Sequence, residues 1–351
     1  MTEKPLVLVG SPITEYKLYC TGQYLKGLKQ LSYENKIIVL VDNSPTESVK
    51  EAIKNFNPGC KFFVFTTPFR TYARERLIEG RNLLRAIICK DTELDKFELS
   101  YEDKKNVEEL QKLDFDYFFS LEQDVIPPTN TIELLMAENN DIIEGVYMNQ
   151  KAVDVPVTHQ TPQGPVQGVQ QQTKFIPMAW TWADPDVKDV ELLTDMTLDH
   201  LLPSRVQQVA AIGVGCGLIK KEVLDELNIE IKMERKYRKL LSQLKHDGAD
   251  FEKMKSQIKI LNKEIREEFL INNRGGQTAF NLSEISYDGK KLEIISSVTT
   301  DGFRYDSEKY ACDDMYFSLD ATYKGYDIFL DSYIWCTHLH NQWDTNIIGE
   351  R

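Results

Sequence analysis

Short apolar runs alternate with amphipathic segments through the first third of the chain. The apolar runs, which favour strands because they are rich in branched side chains, cover residues 5–10, 36–42 and 61–66. Apolar positions at three- and four-residue spacing predict helices over residues 16–31, 46–56 and 70–88. Since strands and helices alternate, the pattern predicts a parallel sheet with helices on its faces.

The next stretch is polar and then returns to the sheet. Residues 91–114 contain few helical anchors, among them Tyr101, Val107 and Leu110, which indicates a surface insertion. A fourth strand follows from Tyr117.

The composition changes sharply in the middle of the chain. A predicted helix over 131–137 and a predicted strand over 141–148 precede residues 158–174, which are mainly Gln, Gly, Pro and Thr. That composition is typical of a long irregular loop. A strand-like run resumes over 206–219, where glycines signal a bulge or a close approach of backbone. These glycines are Gly213, Gly215 and Gly217.

Residues 230–270 are strongly charged and carry apolar residues at heptad-like spacing, which predicts an inserted helical hairpin. Such a hairpin either is an ordinary solvated element with a narrow packing seam or serves self-association or partner docking. The predicted organisation is therefore one catalytic domain formed by 1–229 and 271–351, interrupted by 230–270. Near the end of the chain, a helix opens at Tyr310 and a strand covers 326–330.

Composition narrows the class of protein. The 351 residues are 42% hydrophobic and 28% charged, as in globular domains. The net charge of −13 repels polyanions, which argues against nucleic acid as the main partner. No run approaches the roughly 20 apolar residues that span a bilayer, and no signal-peptide pattern is present, so we expect a cytoplasmic location. The six cysteines form no C-x-x-C pair, and we expect neither disulfides nor a zinc cluster.

Two carboxylates, Glu122 and Asp124, end the fourth predicted strand. Side chains two residues apart leave the same face of a strand, so both carboxylates are able to converge on one cation or on a diphosphate with its metal. The alternative is a simple polar turn, which Pro127 and Pro128 would also suit.

Several short motifs follow one another in order. They are Val9-Gly-Ser-Pro12-Ile-Thr14, Val41-Asp42-Asn43-Ser44, Gly80-Arg81-Asn82, Glu122-Gln123-Asp124, Cys312-Asp313-Asp314, Tyr323-Lys-Gly-Tyr-Asp-Ile-Phe-Leu-Asp331 and His338. This series resembles the nucleotide-sugar glycosyltransferases of the GT-A fold, most closely the family 2-like group, over about residues 5–340. The resemblance implies a Rossmann-like α/β fold with a mostly parallel central sheet, helices on both faces and the hairpin as an insertion.

The resemblance also implies roles for individual residues. Asp124 and His338 would bind Mn²⁺ or Mg²⁺, and Asp314 would be the general base beside Asp313, which would orient acceptor or sugar. The residues implied in donor binding are Pro12, Asp42, Arg81, Glu122, Gly213 and Gly215. Glu122 departs from the usual D-x-D motif, because its side chain is longer than that of the first Asp.

Some of these assignments have rivals. Asp314 also suits a helix start as a cap, and His340 is an alternative to His338 as the metal ligand. Trp180 and Trp182 would suit an acceptor platform, since aromatic faces stack on sugar rings, or would simply anchor a loop.

The leading hypothesis is a metal-dependent, inverting glycosyltransferase that moves a sugar from a UDP- or GDP-sugar donor to an acceptor hydroxyl. One alternative is a nucleotidyltransferase of related fold, although residues 9–15 lack the Gly-rich basic loop of those enzymes. Another is a non-catalytic scaffold that uses 230–270 to bind a partner.

Overall fold

The computed structural model describes residues 4–91, 94–161, 164–184, 193–201, 204–227, 285–287, 292–294 and 313–339. The predicted helical hairpin at 230–270 and the alternative metal ligand His340 lie outside these residues.

Strands and helices alternate along the first part of the chain, as the apolar pattern predicts. The strands are β1 (Val7–Ile13), β2 (Lys36–Asp42), β3 (Phe62–Thr66), β4 (Tyr117–Leu121), β5 (Val125–Ile126), β6 (Ile142–Val146), β7 (Met148–Thr161), β8 (Gly164–Pro177), β9 (Ala179–Trp182), β10 (Leu193–Asp195), β11 (Val206–Val209), β12 (Ala211–Ile212), β13 (Cys216–Lys220), β14 (Ile285–Tyr287), β15 (Leu292–Ile294), β16 (Ile328–Trp335) and β17 (Thr337–His338). The α-helices are α1 (Leu18–Gln30), α2 (Ser48–Ile53), α3 (Ala73–Ile88), α4 (Tyr101–Gln111), α5 (Thr131–Ala137), α6 (Leu198–Leu201), α7 (Lys221–Glu226) and α8 (Asp313–Lys324). Short 3₁₀ helices cover Glu15–Lys17 and Leu94–Phe97.

A large sheet forms the centre of the described structure. Its eight strands lie in the order β11, β16, β6, β13, β4, β1, β2 and β3. The pairs β1–β2, β2–β3, β1–β4 and β6–β16 are parallel. Strand β13 runs antiparallel between β4 and β6, and β11 is antiparallel to β16. The predicted α/β class with a mostly parallel central sheet is confirmed.

Apolar side chains on both faces of this sheet are covered by helices. One buried cluster joins Leu8 of β1 to residues of α3, α4, α7 and α8. A second cluster joins Val7 and Val9, the neighbours of Leu8, to residues of α1, α2 and α5. The alternation follows from the two-residue period of a strand, and burial on both faces explains why these strands are continuously apolar.

The prediction of an irregular loop over 158–174 is wrong. Strands β7 and β8 form a long antiparallel hairpin whose pairing runs from Met148 opposite Pro177 to Thr161 opposite Gly164. Composition misled here because the Gln-rich segment lacks a core-facing stripe, whereas a two-stranded ribbon needs only backbone pairing and tolerates Thr, Val and Gln. Tyr101, expected as an anchor, is exposed, while Val107 and Leu110 are buried.

One edge of the central sheet gathers the polar chain segments. The carboxyl ends of β1, β2, β4, β6 and β16 all meet there, because these strands run in the same direction. Ligands of open α/β sheets bind outside the carboxyl ends of the strands. We call this the carboxyl edge.

Helix α3 approaches the carboxyl edge closely because Gly80 faces Pro12. A Cβ atom at Gly80 would lie 2.9 Å from Cβ and 3.0 Å from Cγ of Pro12. The proline ring is rigid, so only glycine allows this approach. The next residue along the helix, Arg81, is thereby brought to the carboxyl edge.

We predict that Gly80→Ala lowers the free energy of unfolding by about 1–3 kcal/mol, because the new methyl group forces α3 away from β1. The matched control is Gly22→Ala in α1, where a Cβ atom would meet nothing within 4 Å. That change should raise the free energy of unfolding by up to about 1 kcal/mol, since alanine favours helix. Urea unfolding shows whether each change raises or lowers the free energy of unfolding. A Gly80→Ala protein more stable than wild type would contradict the close packing of Gly80 on Pro12.

Candidate active site

A buried arginine joins two of the predicted site carboxylates. Arg81 is 1% exposed, and its Nη2 donates to Oε1 of Glu122 at 2.8 Å. Its Nη1 donates to Oδ2 of Asp313 at the start of α8. Burial alone would lower the pKa of Arg81, but the charges of Asp313, Glu122 and Asp314 outweigh burial and raise the pKa above its ordinary value. Arg81 therefore stays charged and holds α3, β4 and α8 together.

Asp314 lies next to this arginine bridge. Asp314 as a whole is 6% exposed, and its Oδ1 accepts a hydrogen bond from the backbone N–H of Met315 at 2.8 Å. The first turn of a helix favours negative charge, which suits both the cap and the general-base interpretation of Asp314. The structure places this carboxylate at the carboxyl edge through α8.

Asp124 and His338 form a second group. Nε2 of His338 lies 3.4 Å from Oδ2 of Asp124, and Nδ1 lies 2.7 Å from the carbonyl oxygen of Met148. The contact arises because β17 pairs with β5, with His338 opposite Val125. Burial would lower the pKa of His338, but Asp124 raises it.

Lys17 completes this second group, and the sequence did not point to it. Its Nζ lies 2.9 Å from Oδ1 and 2.8 Å from Oδ2 of Asp124. Burial would raise the pKa of Asp124, but His338 and Lys17 lower it below the usual range. Asp124 is therefore a carboxylate with two nitrogen groups facing its oxygens.

The donor set of this group fits a divalent cation. A carboxylate and an imidazole are ordinary ligands, and a ligating histidine usually donates its other ring N–H to a carbonyl, as the position of Met148 allows. Among the described residues, no cluster of three or more His, Cys, Asp or Glu side chains has the geometry of a metal site. Two protein ligands suffice for Mg²⁺ or Mn²⁺ bound together with substrate phosphates.

The middle residue of the Glu122-Gln123-Asp124 motif has a structural role that the sequence did not reveal. Gln123 is 1% exposed. Its Oε1 accepts from the backbone N–H of Thr14 at 2.8 Å, and its Nε2 donates to Oγ1 of Thr21 at 2.9 Å. Gln123 thus fixes the segment after β1 against the end of β4, which sets the position of Lys17 relative to Asp124.

The glycines Gly213 and Gly215 flank a strained residue. Val214 has φ +56°, in the left-handed region that a β-branched side chain rarely adopts. Strain of this kind costs about 1–3 kcal/mol and persists only where the surroundings enforce it. Cβ atoms at Gly213 and Gly215 would lie 2.1 and 2.4 Å from the hydroxyl of Tyr147, so neither position tolerates a larger residue.

The fully buried side chain of Glu144 holds residues 213–215, which we call the glycine loop, in this conformation. Oε1 of Glu144 accepts from the backbone N–H groups of Gly215 at 2.7 Å and Cys216 at 3.0 Å, and Oε2 accepts from Gly213 at 3.0 Å. Burial raises the pKa of Glu144 to about 8, although these three hydrogen bonds oppose the shift. A lone Glu in the apolar strand at 141–148 was the available sequence signal, because acids are rarely buried without a partner.

The glycine loop is also tied to the Glu122 strand. The backbone N–H of Glu122 donates to the carbonyl of Gly215 at 2.9 Å, and Oγ of Ser120 donates to the carbonyl of Val214 at 2.7 Å. The two predicted donor-binding glycines therefore lie beside Glu122.

The other predicted site residues lie on β1, β2 and β9. Pro12 and Asp42 lie at the ends of β1 and β2, and burial raises the pKa of Asp42. Trp180 is 7% exposed and donates from Nε1 to Oδ1 of Asp195 at 3.1 Å, a contact between β9 and β10. Trp182 is partly buried against Tyr316 of α8 and its neighbours.

Comparisons with known proteins add little to this geometry. No protein-family model matches the chain, and no curated protein matches it. Among solved structures, S. aureus TarS 1-349 in complex with UDP-GlcNAc is similar over 40% of this chain and 34% of that chain, at 12% identity and a TM-score of 0.28. The mannosyltransferase PcManGT from Pyrobaculum calidifontis, in complex with GDP-Man and Mn²⁺, is similar over 41% and 36%, at 13% identity and a TM-score of 0.28.

The chain thus spans about a third of the length of these neighbours. Among the described residues, none of the helices has both the length and the apolar character needed to cross a bilayer.

We predict that Arg81→Ala lowers the free energy of unfolding by about 3–5 kcal/mol, because it leaves Glu122 and Asp313 without their shared buried partner. Arg81→Lys should recover only part of the loss, since an ammonium lacks the planar fork. Arg74→Ala, on the same helix, is the control and should change stability by less than about 1 kcal/mol. Urea unfolding gives the values; equal effects of Arg81→Ala and Arg74→Ala would refute the bridge.

Glu144 predicts a pH dependence of stability. Its pKa is about 8 in the folded protein against 4.5 for an ordinary Glu, so the folded state binds more protons over that interval. The stabilising contribution of Glu144 is therefore complete below pH 4.5 and is lost as pH rises toward 8, at up to roughly 1.4 kcal/mol per pH unit.

The Glu144→Gln substitution removes this titration. It also places an amide N–H against a backbone N–H, which loses one hydrogen bond and costs about 1–3 kcal/mol of stability. We expect the variant to be less stable than wild type at pH 5, and the difference to close and then reverse by pH 8, because wild type loses more than that cost over these three pH units. The exposed Glu47→Gln serves as control and should follow wild type throughout. Urea unfolding from pH 5 to 8.5 measures the gap, and a constant gap would contradict the raised pKa.

Proposed function

We propose that this chain is a metal-dependent glycosyltransferase that transfers a sugar from a nucleoside diphosphate-sugar to an acceptor hydroxyl. One observation carries the proposal: four acids and one histidine, from three separate parts of the chain, meet at the carboxyl edge around Arg81 and Lys17. The acids are Glu122, Asp124, Asp313 and Asp314, and the histidine is His338.

The two groups of the site suit two parts of such a donor. Asp124 and His338 would hold Mn²⁺ or Mg²⁺, which when bound neutralises charge on the diphosphate leaving group. The glycine loop, whose glycines leave room for the hydroxyl of Tyr147, supports Glu122 through the hydrogen bond from the backbone N–H of Glu122 to the carbonyl of Gly215. Arg81 keeps the carboxylates of Glu122 and Asp313 in fixed positions, which preorganises them for hydroxyl groups of the donor or acceptor.

Asp314 is the proposed general base. Its carboxylate would take the proton of the acceptor hydroxyl while that oxygen bonds to the anomeric carbon. The bond from the anomeric carbon to the diphosphate oxygen breaks, and the nucleoside diphosphate leaves with the electron pair. Attack opposite the leaving group inverts the configuration at that carbon.

The first experiment is thermal unfolding of wild type with UDP or GDP, each with and without Mn²⁺. Binding at a hundredfold excess over the dissociation constant should stabilise the folded state by about 2.7 kcal/mol, and only with the metal present. If neither UDP nor GDP stabilises the protein, with or without Mn²⁺, the proposed function is wrong.

We predict that Asp314→Asn keeps this nucleotide stabilisation but lowers the release of UDP or GDP from sugar donors by at least about a hundredfold, because the amide cannot accept the proton. Nucleotide release from a panel of UDP- and GDP-sugars measures this loss. The exposed Asp199→Asn is the control and should release nucleotide at the wild-type rate. Full activity of Asp314→Asn would remove its role as base.

A further inference from the structure

Lys17 holds the position that a cation bound to Asp124 would need. Its ammonium contacts both carboxylate oxygens, at 2.8 and 2.9 Å, and one of these oxygens also faces Nε2 of His338 at 3.4 Å. A divalent ion ligated by Asp124 and His338 lies much closer to the carboxylate than that, at about 2.0–2.2 Å. The ammonium and the ion therefore compete for the same carboxylate.

The backbone of Lys17 is held in place while part of its side chain is exposed to solvent. The carbonyl oxygen of Lys17 accepts from Sγ of Cys20 at 3.0 Å, Oγ1 of Thr21 at 3.2 Å and Nε2 of Gln123 at 3.4 Å. Its side chain is 32% exposed, whereas that of Asp124 is 8% exposed. The flexible four-carbon stem allows the ammonium to leave Asp124 without any backbone movement.

The ammonium also lies at the carboxyl edge, where the diphosphate of the proposed donor would bind. Lys17 ends the 3₁₀ helix that follows β1, at the carboxyl edge where the proposed donor binds. An ammonium released from Asp124 is a compact point charge with three donors, which suits a phosphate oxygen.

We propose that Lys17 is a resident cation that neutralises Asp124 while the site holds no metal and transfers to the donor diphosphate when the metal takes Asp124. Lys17 is then a donor-binding residue whose release is coupled to metal entry. The inference rests on the proposed function, and it gives Lys17 opposite effects on two ligands: it weakens the metal alone and strengthens the nucleotide in the presence of metal.

Titration calorimetry on the full chain separates these effects. With Mn²⁺ alone, Lys17→Met should bind the ion about three- to tenfold more tightly than wild type, because the competing charge is gone. With saturating Mn²⁺, the same variant should bind UDP or GDP about tenfold more weakly, because one charge-assisted hydrogen bond is lost. Lys26→Met, which removes an exposed lysine of α1, is the control and should match wild type in both titrations.

Lys17→Arg provides a second test that does not depend on the folding of Lys17→Met. It keeps the charge and should therefore retain weak Mn²⁺ binding and most of the nucleotide affinity. Unchanged affinities in Lys17→Met would overturn the exchange, as would nucleotide binding that needs Lys17 but not Mn²⁺. If wild type itself binds neither nucleotide, the proposed function fails, and that outcome is distinct from failure of Lys17 alone.

Discussion

The site depends on one buried ion bridge, in which Arg81 contacts Glu122 and Asp313. Two carboxylates this close repel each other strongly in a medium that excludes water, and a guanidinium that reaches both with separate nitrogens removes that cost. The bridge joins a helix, a strand end and the start of a distant helix. Because Arg81 and Asp313 are buried and Glu122 is largely so, the bridge fixes the relative positions of these two carboxylates and of Asp314, which follows Asp313.

A second constraint acts on the other side of Glu122. Glu144 gathers three backbone N–H groups of the glycine loop, while β4 takes two of its carbonyl groups. These five hydrogen bonds hold Val214 in an unfavourable conformation. A strained segment held by that many hydrogen bonds has little freedom to rearrange, so it is a rigid support next to the acids.

The sequence predicted the strands of the central sheet because they are short apolar runs, although chain order matches spatial order only for β1, β2 and β3. It singled out the Glu122 and Asp124 pair because a strand places alternate residues on one face. It did not predict that Arg81 pairs with Asp313, since 232 residues separate them and only the tertiary structure brings them together. The contact of Lys17 with Asp124 was not predicted for the same reason. The β7–β8 hairpin was missed because backbone pairing leaves little trace in composition.

The pairing of β17 with β5 has a consequence for synthesis of the protein. His338 reaches Asp124 only through that pairing, and of the residues assigned to the site it is the last to leave the ribosome. Until then, a nascent chain already contains both acids of the Glu122 strand but lacks the imidazole beside them. The proposed metal site is therefore complete only once β17 has paired with β5.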